Sequence, residues 1–314
     1  MTDIALVFPG QGSQKPGMAK DLVAAYPAAA ELFREADATL GVPLSTLCFE
    51  GPAETLMETH NAQPALLTHG VAVWQLLREH LGARVVCAAG HSLGEFTAHV
   101  AAGTFDFATA VALVRTRGEL MQQAGVARPG AMAAILGDID VRVRELCEQA
   151  TREAGAVVPA NYNSPGQVVV SGEVAGVERL IQLANEHGAR KCMRLQVSGA
   201  FHSPLMDAAR PGWEAALEAV TMHNASVPVY ANVTGRQVTS AKQSRRLLGV
   251  QMTSPVRWTE TIRNIVEDHP SITFIELGPG HVLSGLIRKI SPDSVVLPAG
   301  TAAHVEAILS QVSA

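Results

Sequence analysis

The run Val85-Val86-Cys87-Ala88-Ala89-Gly90-His91-Ser92-Leu93-Gly94-Glu95 constrains the fold more than any other stretch of the chain. An apolar strand breaks into Gly-x-Ser-x-Gly and passes straight into helix-forming sequence, the order of a nucleophile elbow. So sharp a strand-to-helix turn needs neighbours without side chains, which is what Gly90 and Gly94 supply. Ser92 then stands exposed at the C-terminal end of the strand. The helix that starts there points free N–H groups and the positive end of its dipole at the same spot. The five-residue Gly-x-Ser-x-Gly spacing alone recurs by chance; the strand before it and the helix after it make Ser92 a candidate nucleophile and the chain an α/β protein.

The chain of 314 residues, 47% of them hydrophobic, can bury one large domain and a smaller companion. A first strand is predicted at 4–8, and helices from about 26 to 81 broken by turns at 41–43 and 51–52. A second strand is predicted at 84–89, with two helices after the elbow. Leu66, Leu67, Val71, Trp74 and Leu77 recur at helical spacing and mark a packing helix over 63–81. The middle of the chain reads as strand 131–136, helix 141–153, strand 156–162, turn 163–166, strand 167–171, helix 174–187 and strand 190–197. That is β-α-β-β-α-β, the ferredoxin-like order. Afterwards helices at 205–220, 241–249, 257–267, 282–290 and 302–312 alternate with strands at 227–232, 272–277 and 294–297. The expected organisation is a discontinuous large α/β domain, residues 1–127 and 199–314, with a small ferredoxin-like domain, residues 128–198, inserted in it.

The formal charge is −5, from 24 basic and 29 acidic residues, with no long run of either sign, so neither nucleic acid nor an anionic membrane is an expected partner. The N-terminal MTDIALVF has no basic region or cleavage site, and no apolar stretch is long enough to span a bilayer. A cytoplasmic address is expected. Cys48, Cys87, Cys147 and Cys192 are dispersed with no CxxC, which predicts buried thiols rather than disulfides or zinc. The 11 histidines form no HExxH or similar cluster, so no metal is expected.

A serine nucleophile needs a base. His91 and His99 lie too near in sequence to fold back on Ser92; His91 reads as a support for the elbow and His99 as a helix-surface residue. His202, in Gly199-Ala200-Phe201-His202-Ser203-Pro204, falls where the inserted domain returns the chain to the large one, and domain junctions make clefts. His281, in Gly278-Pro279-Gly280-His281, also follows a strand end, and with Asp268 it would complete the chain order Ser, acid, His of a hydrolase. Arg117 falls inside the apolar arc of the helix over 107–123, between Leu113 and Ala110. An inward guanidinium requires a partner that offsets its desolvation, and a bidentate carboxylate does so. Arg117 therefore points to an acidic acyl group in the pocket of Ser92. The opening Phe8-Pro9-Gly10-Gln11-Gly12-Ser13-Gln14 is neither a dinucleotide fingerprint, for Lys15 stands where a glycine is needed, nor a P-loop. It suits an oxyanion hole, with Gln11 giving one backbone N–H and Leu93, next to the nucleophile, the other.

Phe8-Pro-Gly-Gln-Gly-Ser-Gln14, Gln63-Pro-Ala65, Gly90-His-Ser-Leu-Gly-Glu95, Arg117-Gly118, Asn161-Tyr-Asn-Ser-Pro165, Phe201-His-Ser203, Asn232-Val-Thr234, Gln251, Ser254-Pro-Val-Arg-Trp258 and Glu276-Leu-Gly-Pro-Gly280 together resemble, in order and from end to end, the malonyl-CoA:acyl carrier protein transacylases of bacterial type II fatty acid synthesis. The resemblance implies an α/β-hydrolase-like core with a ferredoxin-like insert. It implies Ser92 as the nucleophile, His202 as the base, the Gln251 carbonyl as the group that orients His202, and Arg117 as the malonyl carboxylate's partner. Gln63, Asn161, Phe201 and Gln251 become substrate-pocket positions, with Phe201 in the malonyl-selective form of its motif. Malonyl-CoA is the implied donor, acyl carrier protein the implied partner, and no permanently bound cofactor is implied; a monomer is expected. The acidic carrier would dock on a local basic patch, with Arg190, Lys191 and Arg194 as first choice and Arg288 and Lys289 as second. His281 departs from the family, which commonly has lysine there, and supplies a decoy base.

Overall fold

The computed structural model describes residues 3–138 and 140–313. Its strands are β1 (Ile4–Phe8), β2 (Val85–Gly90), β3 (Ala131–Leu136), β4 (Val157–Ser164), β5 (Gln167–Gly172), β6 (Lys191–Arg194), β7 (Val229–Tyr230), β8 (Gln237–Val238), β9 (Thr273–Leu277) and β10 (Val295–Ala299). Six of them form one sheet in the order β10-β9-β1-β2-β7-β8, parallel except for the edge strand β8. β1 is buried at every position, and its side chains divide by parity: Ile4, Leu6 and Phe8 join one apolar cluster, Ala5 and Val7 another. A strand packed by helices on both faces has no solvent side, so the sequence there is apolar throughout instead of alternating.

The remaining four strands form an antiparallel sheet in the order β4-β5-β3-β6. Helices Asp140–Glu153 and Val174–Glu186 cover one of its faces, where Ala131, Ala133 and Ile135 are buried. Met132 and Ala134, on the opposite face, belong to the core shared with the large sheet. The second sheet thus serves as a wall against the first, and the site lies between them.

Several elements differ from the sequence expectation. The strand expected at 227–232 shrinks to Val229–Tyr230, because Asn232 leaves the sheet to bond with the elbow. The strand expected at 190–197 stops at Arg194, and Leu195 and Val197 turn toward the site cavity. β4 runs on through Ser164, leaving Pro165 and Gly166, at φ 74°, as the turn. The helix expected at 205–220 is a 3-10 segment, Pro204–Ala209, followed by Arg210–Glu218, with Pro211 in the first turn, where a missing N–H is tolerated. The helix Lys20–Ala25 and the short β8 had no clear sequence signal. Cys48, Cys87 and Cys147 are buried, but Cys192, on the edge strand β6, is only partly so. Among the described residues no helix is long and apolar enough to cross a membrane.

Candidate active site

β2 ends in the elbow, and the helix Gly94–Ala101 begins two residues after Ser92. Ser92 sits at φ 50°, a left-handed conformation that non-glycine residues rarely hold without support. A Cβ at Gly90 would lie 1.9 Å from the main-chain carbon of Gly94, and one at Gly94 would lie 2.0 Å from the Phe8 carbonyl oxygen. Three hydrogen bonds hold the turn: the Ser92 N–H donates to Asn232 Oδ1 at 2.7 Å, Asn232 Nδ2 donates to the Gly90 carbonyl at 2.6 Å, and the His91 N–H donates to the Phe8 carbonyl at 3.0 Å. His91 is half-buried, with Nε2 2.8 Å from Asn163 Oδ1, a support for the elbow.

The imidazole that meets the nucleophile is that of His202, Nε2 lying 2.8 Å from Ser92 Oγ. Its Nδ1 faces two carbonyl oxygens, of Gln251 and Ser254, each at 3.0 Å. Carbonyls only accept, so the proton is on Nδ1 and the Nε2 lone pair is free to take the serine proton. Burial, and then the positive charge of Arg117, pull the His202 pKa down to about 3, so the resting imidazole is neutral. The rival pair is not assembled: His281 is exposed, and Asp268 accepts the Tyr230 hydroxyl.

Arg117, on helix Phe107–Ala127, is 1% exposed. Nη1 donates to Gln63 Oε1 and Nη2 to Gln251 Oε1, both at 2.8 Å, and Nη2 also reaches Ser92 Oγ at 3.3 Å. The guanidinium lies over the Phe96 ring at 5.3 Å, and Nε has no partner. Burial lowers its pKa to about 10, which leaves it a cation at neutral pH, yet among the described residues no carboxylate forms an ion pair with it. Gln63 and Gln251 hold it from behind and do not line the cavity; Gln251 also donates from Nε2 to the Ser92 carbonyl at 3.0 Å and to Glu95 Oε2 at 2.6 Å.

A cavity of about 120 Å³ opens beside Ser92, with Arg117, His202, Gln11 and Leu93 on its lining. Met132, Asn161, Leu195 and Phe201 are among the other residues of the wall, from the second sheet and the return of the chain. At about 30 Å³ per water, the space suits an acyl group of a few heavy atoms. The Gly12 N–H is already engaged by Gln14 Oε1 at 2.7 Å, whereas among the described hydrogen bonds the N–H groups of Gln11 and Leu93 donate to no protein acceptor. The loop comes so near the elbow that a Cβ at Gly10 would lie 2.5 Å from the His91 carbonyl oxygen. Among the described residues no group of three His, Cys, Asp or Glu side chains is placed to hold a metal ion.

The structure therefore brings together Ser92, His202, Arg117, Gln251, Gln63, Gln11, Leu93, Asn161 and Phe201. Sequence reasoning gave no role to Asn232, Ser254 or Glu95. For Glu95 the signal was present, a carboxylate in an otherwise apolar helix turn; the other two act through long-range contacts with no local pattern. His99 is a correction: it is 1% exposed, with Nδ1 3.1 Å from Thr104 Oγ1, because the elbow helix is enclosed between sheet and helices and keeps little solvent face.

The acyl transferase domain family matches residues 5–305. The chain is 47% identical over 291 residues to the malonyl CoA-acyl carrier protein transacylase of Bacillus subtilis (strain 168), covering 93% of this chain and 91% of the relative. With the protein of the same name from Escherichia coli (strain K12) it shares 42% identity over 290 residues, 92% of this chain and 93% of the relative. Among solved structures, a malonyl-transacylase in complex with a type II polyketide synthase acyl-carrier protein superposes with a TM-score of 0.94 at 39% identity, over 99% of this chain and 100% of that one. The acyl-carrier-protein-S-malonyltransferase of Bartonella henselae gives 0.94 at 40% identity, over the whole of both chains.

Proposed function

Because the chain belongs to the malonyl CoA-acyl carrier protein transacylases of the acyl transferase family, we propose that it carries a malonyl group from malonyl-CoA to acyl carrier protein through an ester on Ser92. The enzyme is an acyltransferase of fatty acid synthesis. His202 Nε2 takes the Ser92 hydroxyl proton as Oγ attacks the thioester carbonyl, and the Gln11 and Leu93 N–H groups receive the oxyanion. Collapse expels the CoA thiolate, which leaves with the proton held by His202. The phosphopantetheine thiol of the carrier protein then attacks the ester by the same steps in reverse, a ping-pong cycle. One oxyanion donor in such a site is worth about 3 kcal/mol of barrier. A neutral carbonyl pair behind His202 suffices because a thioester is easier to open than an amide.

The observation that carries the malonyl assignment is the Arg117 guanidinium, buried, without an ion-pair partner, and 3.3 Å from the nucleophile. The free carboxylate of malonyl is the partner it lacks. Phe201 and Met132 stand on the wall of the cavity, whose volume of about 120 Å³ favours a short acyl group. We assign residues 1–127 and 199–314 to an α/β-hydrolase-like catalytic domain and 128–198 to a ferredoxin-like domain; the β-α-β-β-α-β order and the sheet order β4-β5-β3-β6 support this division. For the carrier protein we propose the exposed Arg190 and Lys191 at the start of β6, whose continuation Leu195 and Val197 enters the cavity. Arg194 is a weaker member, being paired with Glu178 at 3.2 Å; exposed Arg288 and Lys289 are the second choice. We assign the enzyme to the cytoplasm, as a monomer.

Intact-mass measurement after mixing with malonyl-CoA tests the reading. The wild type gains one malonyl group, Ser92→Ala gains none, and Arg117→Ala gains much less. An adduct that persists in Ser92→Ala refutes it.

A further inference from the structure

The elbow helix carries a single carboxylate, Glu95, directly after Gly94. It is 1% exposed and does not line the cavity. Oε2 accepts from Gln251 Nε2 at 2.6 Å and from the Asn232 N–H at 3.1 Å. Oε1 is buried and has no hydrogen-bond partner. Both donors belong to residues that hold the reacting groups, for Gln251 accepts from Arg117 and Asn232 holds the Ser92 N–H. Glu95 is thus one glutamine side chain away from the guanidinium and is the carboxylate whose field acts on it.

In the resting site one buried cation faces one buried carboxyl. Docking an acyl carboxylate on Arg117 adds a second negative charge to the same enclosed space, and two buried anions against one cation are strongly disfavoured. The incoming carboxylate, in direct contact with the guanidinium, is the one that stays ionised. We propose that Glu95 is a positioning residue that takes up a proton from solvent when the malonyl carboxylate docks on Arg117, so that loading the acyl group and neutralising Glu95 are one coupled event. The proton goes to Oε1, the unpartnered oxygen. Oε2 keeps accepting from Gln251 and Asn232, and the clamp on Arg117 and Ser92 is unchanged by the charge loss.

The surroundings favour this exchange near neutral pH. Burial pushes the Glu95 pKa up to about 7, against the opposing pull of Gln251, Asn232 and Arg117. Of the groups on the elements packed against its helix, only Arg117 acts on it as a charge. His99 on its own helix and His69 on the long helix Thr59–Leu81 are held neutral by burial, as are the Cys87 thiol on β2 and the Tyr230 phenol on β7. His91 and His202 at the elbow are neutral for the same reason.

The inference rests on the malonyl reading, and its test separates the two. Ser92→Ala enzyme, which binds donors without being acylated, is titrated calorimetrically at about pH 7 with malonyl-CoA, acetyl-CoA and CoA in buffers of different ionisation enthalpy. The dependence of the heat on the buffer counts protons, and acetyl-CoA cancels the contribution of the CoA phosphates. The expected excess of malonyl-CoA over acetyl-CoA is a fraction of a proton, equal to the share of Glu95 still ionised at that pH, and it grows as the titration is repeated at higher pH. In Ser92→Ala/Glu95→Gln the excess vanishes, while the amide oxygen still accepts from Gln251. An infrared band of a protonated carboxyl appearing on malonyl-CoA addition provides a second readout that needs no substitution at position 95. Malonyl-CoA binding with no proton excess, or the same excess in the Gln variant, overturns the proposal; failure of malonyl-CoA to bind more tightly than acetyl-CoA overturns the malonyl reading instead.

Discussion

Arg117→Met removes the cation while keeping a side chain of similar reach in the apolar arc of its helix. The guanidinium it replaces is 1% exposed, is held at 2.8 Å by both Gln63 and Gln251, and stands 3.3 Å from Ser92 Oγ. A donor that desolvated and that well aimed gives a carboxylate charge-assisted hydrogen bonds of about 1.5–3 kcal/mol each, and removing one partner of such a buried pair costs about 2–5 kcal/mol. In rate terms kcat/KM for malonyl-CoA falls by roughly 30- to 5,000-fold. Acetyl-CoA has no carboxylate to lose, so its kcat/KM stays within a few-fold of wild type. Single-turnover acylation followed by intact mass, with both donors on one enzyme preparation, measures the ratio of the two constants, in which errors of folding and concentration cancel. Equal losses for both donors would show that Arg117 acts only through the packing of the site, and the electrostatic argument would fail.

Gly94→Ala places a Cβ 2.0 Å from the Phe8 carbonyl oxygen and must move β1 or the elbow; soluble expression or thermal stability should fall sharply, and a well-folded, active variant contradicts the geometry. His202→Ala should abolish acylation whereas His281→Ala, altering an exposed residue, should leave turnover near wild type; the reverse pattern would restore the hydrolase-like pairing. Acid should destabilise the fold. His69, with a pKa of about 4, and His99 and His202, at about 3, stay neutral when folded but bind protons at about 6.5 when unfolded, so each removes about 1.4 kcal/mol of stability per pH unit as pH falls below 6.5. Glu95, whose folded pKa is raised to about 7, acts in the opposite direction between about 7 and 4.5, and Glu276, also raised by burial, acts with it; His91, lowered by burial, joins the other three histidines, and two carboxyls do not outweigh four histidines. Urea midpoints measured at about pH 7, 6 and 5 should decline steadily; a flat series would mean the histidines are hydrated.

The readable parts of this chain were local ones. The elbow was legible because strand, glycines, serine and helix follow each other within a dozen residues, and a turn that tight leaves few alternatives. Arg117 was legible because helical periodicity alone puts it on the apolar side of its helix. The order of elements in the middle of the chain was legible for the same reason, although strand ends were not: β7 and β6 stop where Asn232, Leu195 and Val197 are drawn toward the site. Residue spacing left His202 and His281 both open as the base; the family resemblance chose His202, and contact across 110 residues brings its ring to Ser92. Asn232 meets Ser92 across 140 residues and Gln251 meets Glu95 across 156. Such contacts are set by how two sheets and their helices pack, and burial then decides the chemistry: it keeps His202 and the misjudged His99 neutral, and leaves Glu95 poised to change its charge.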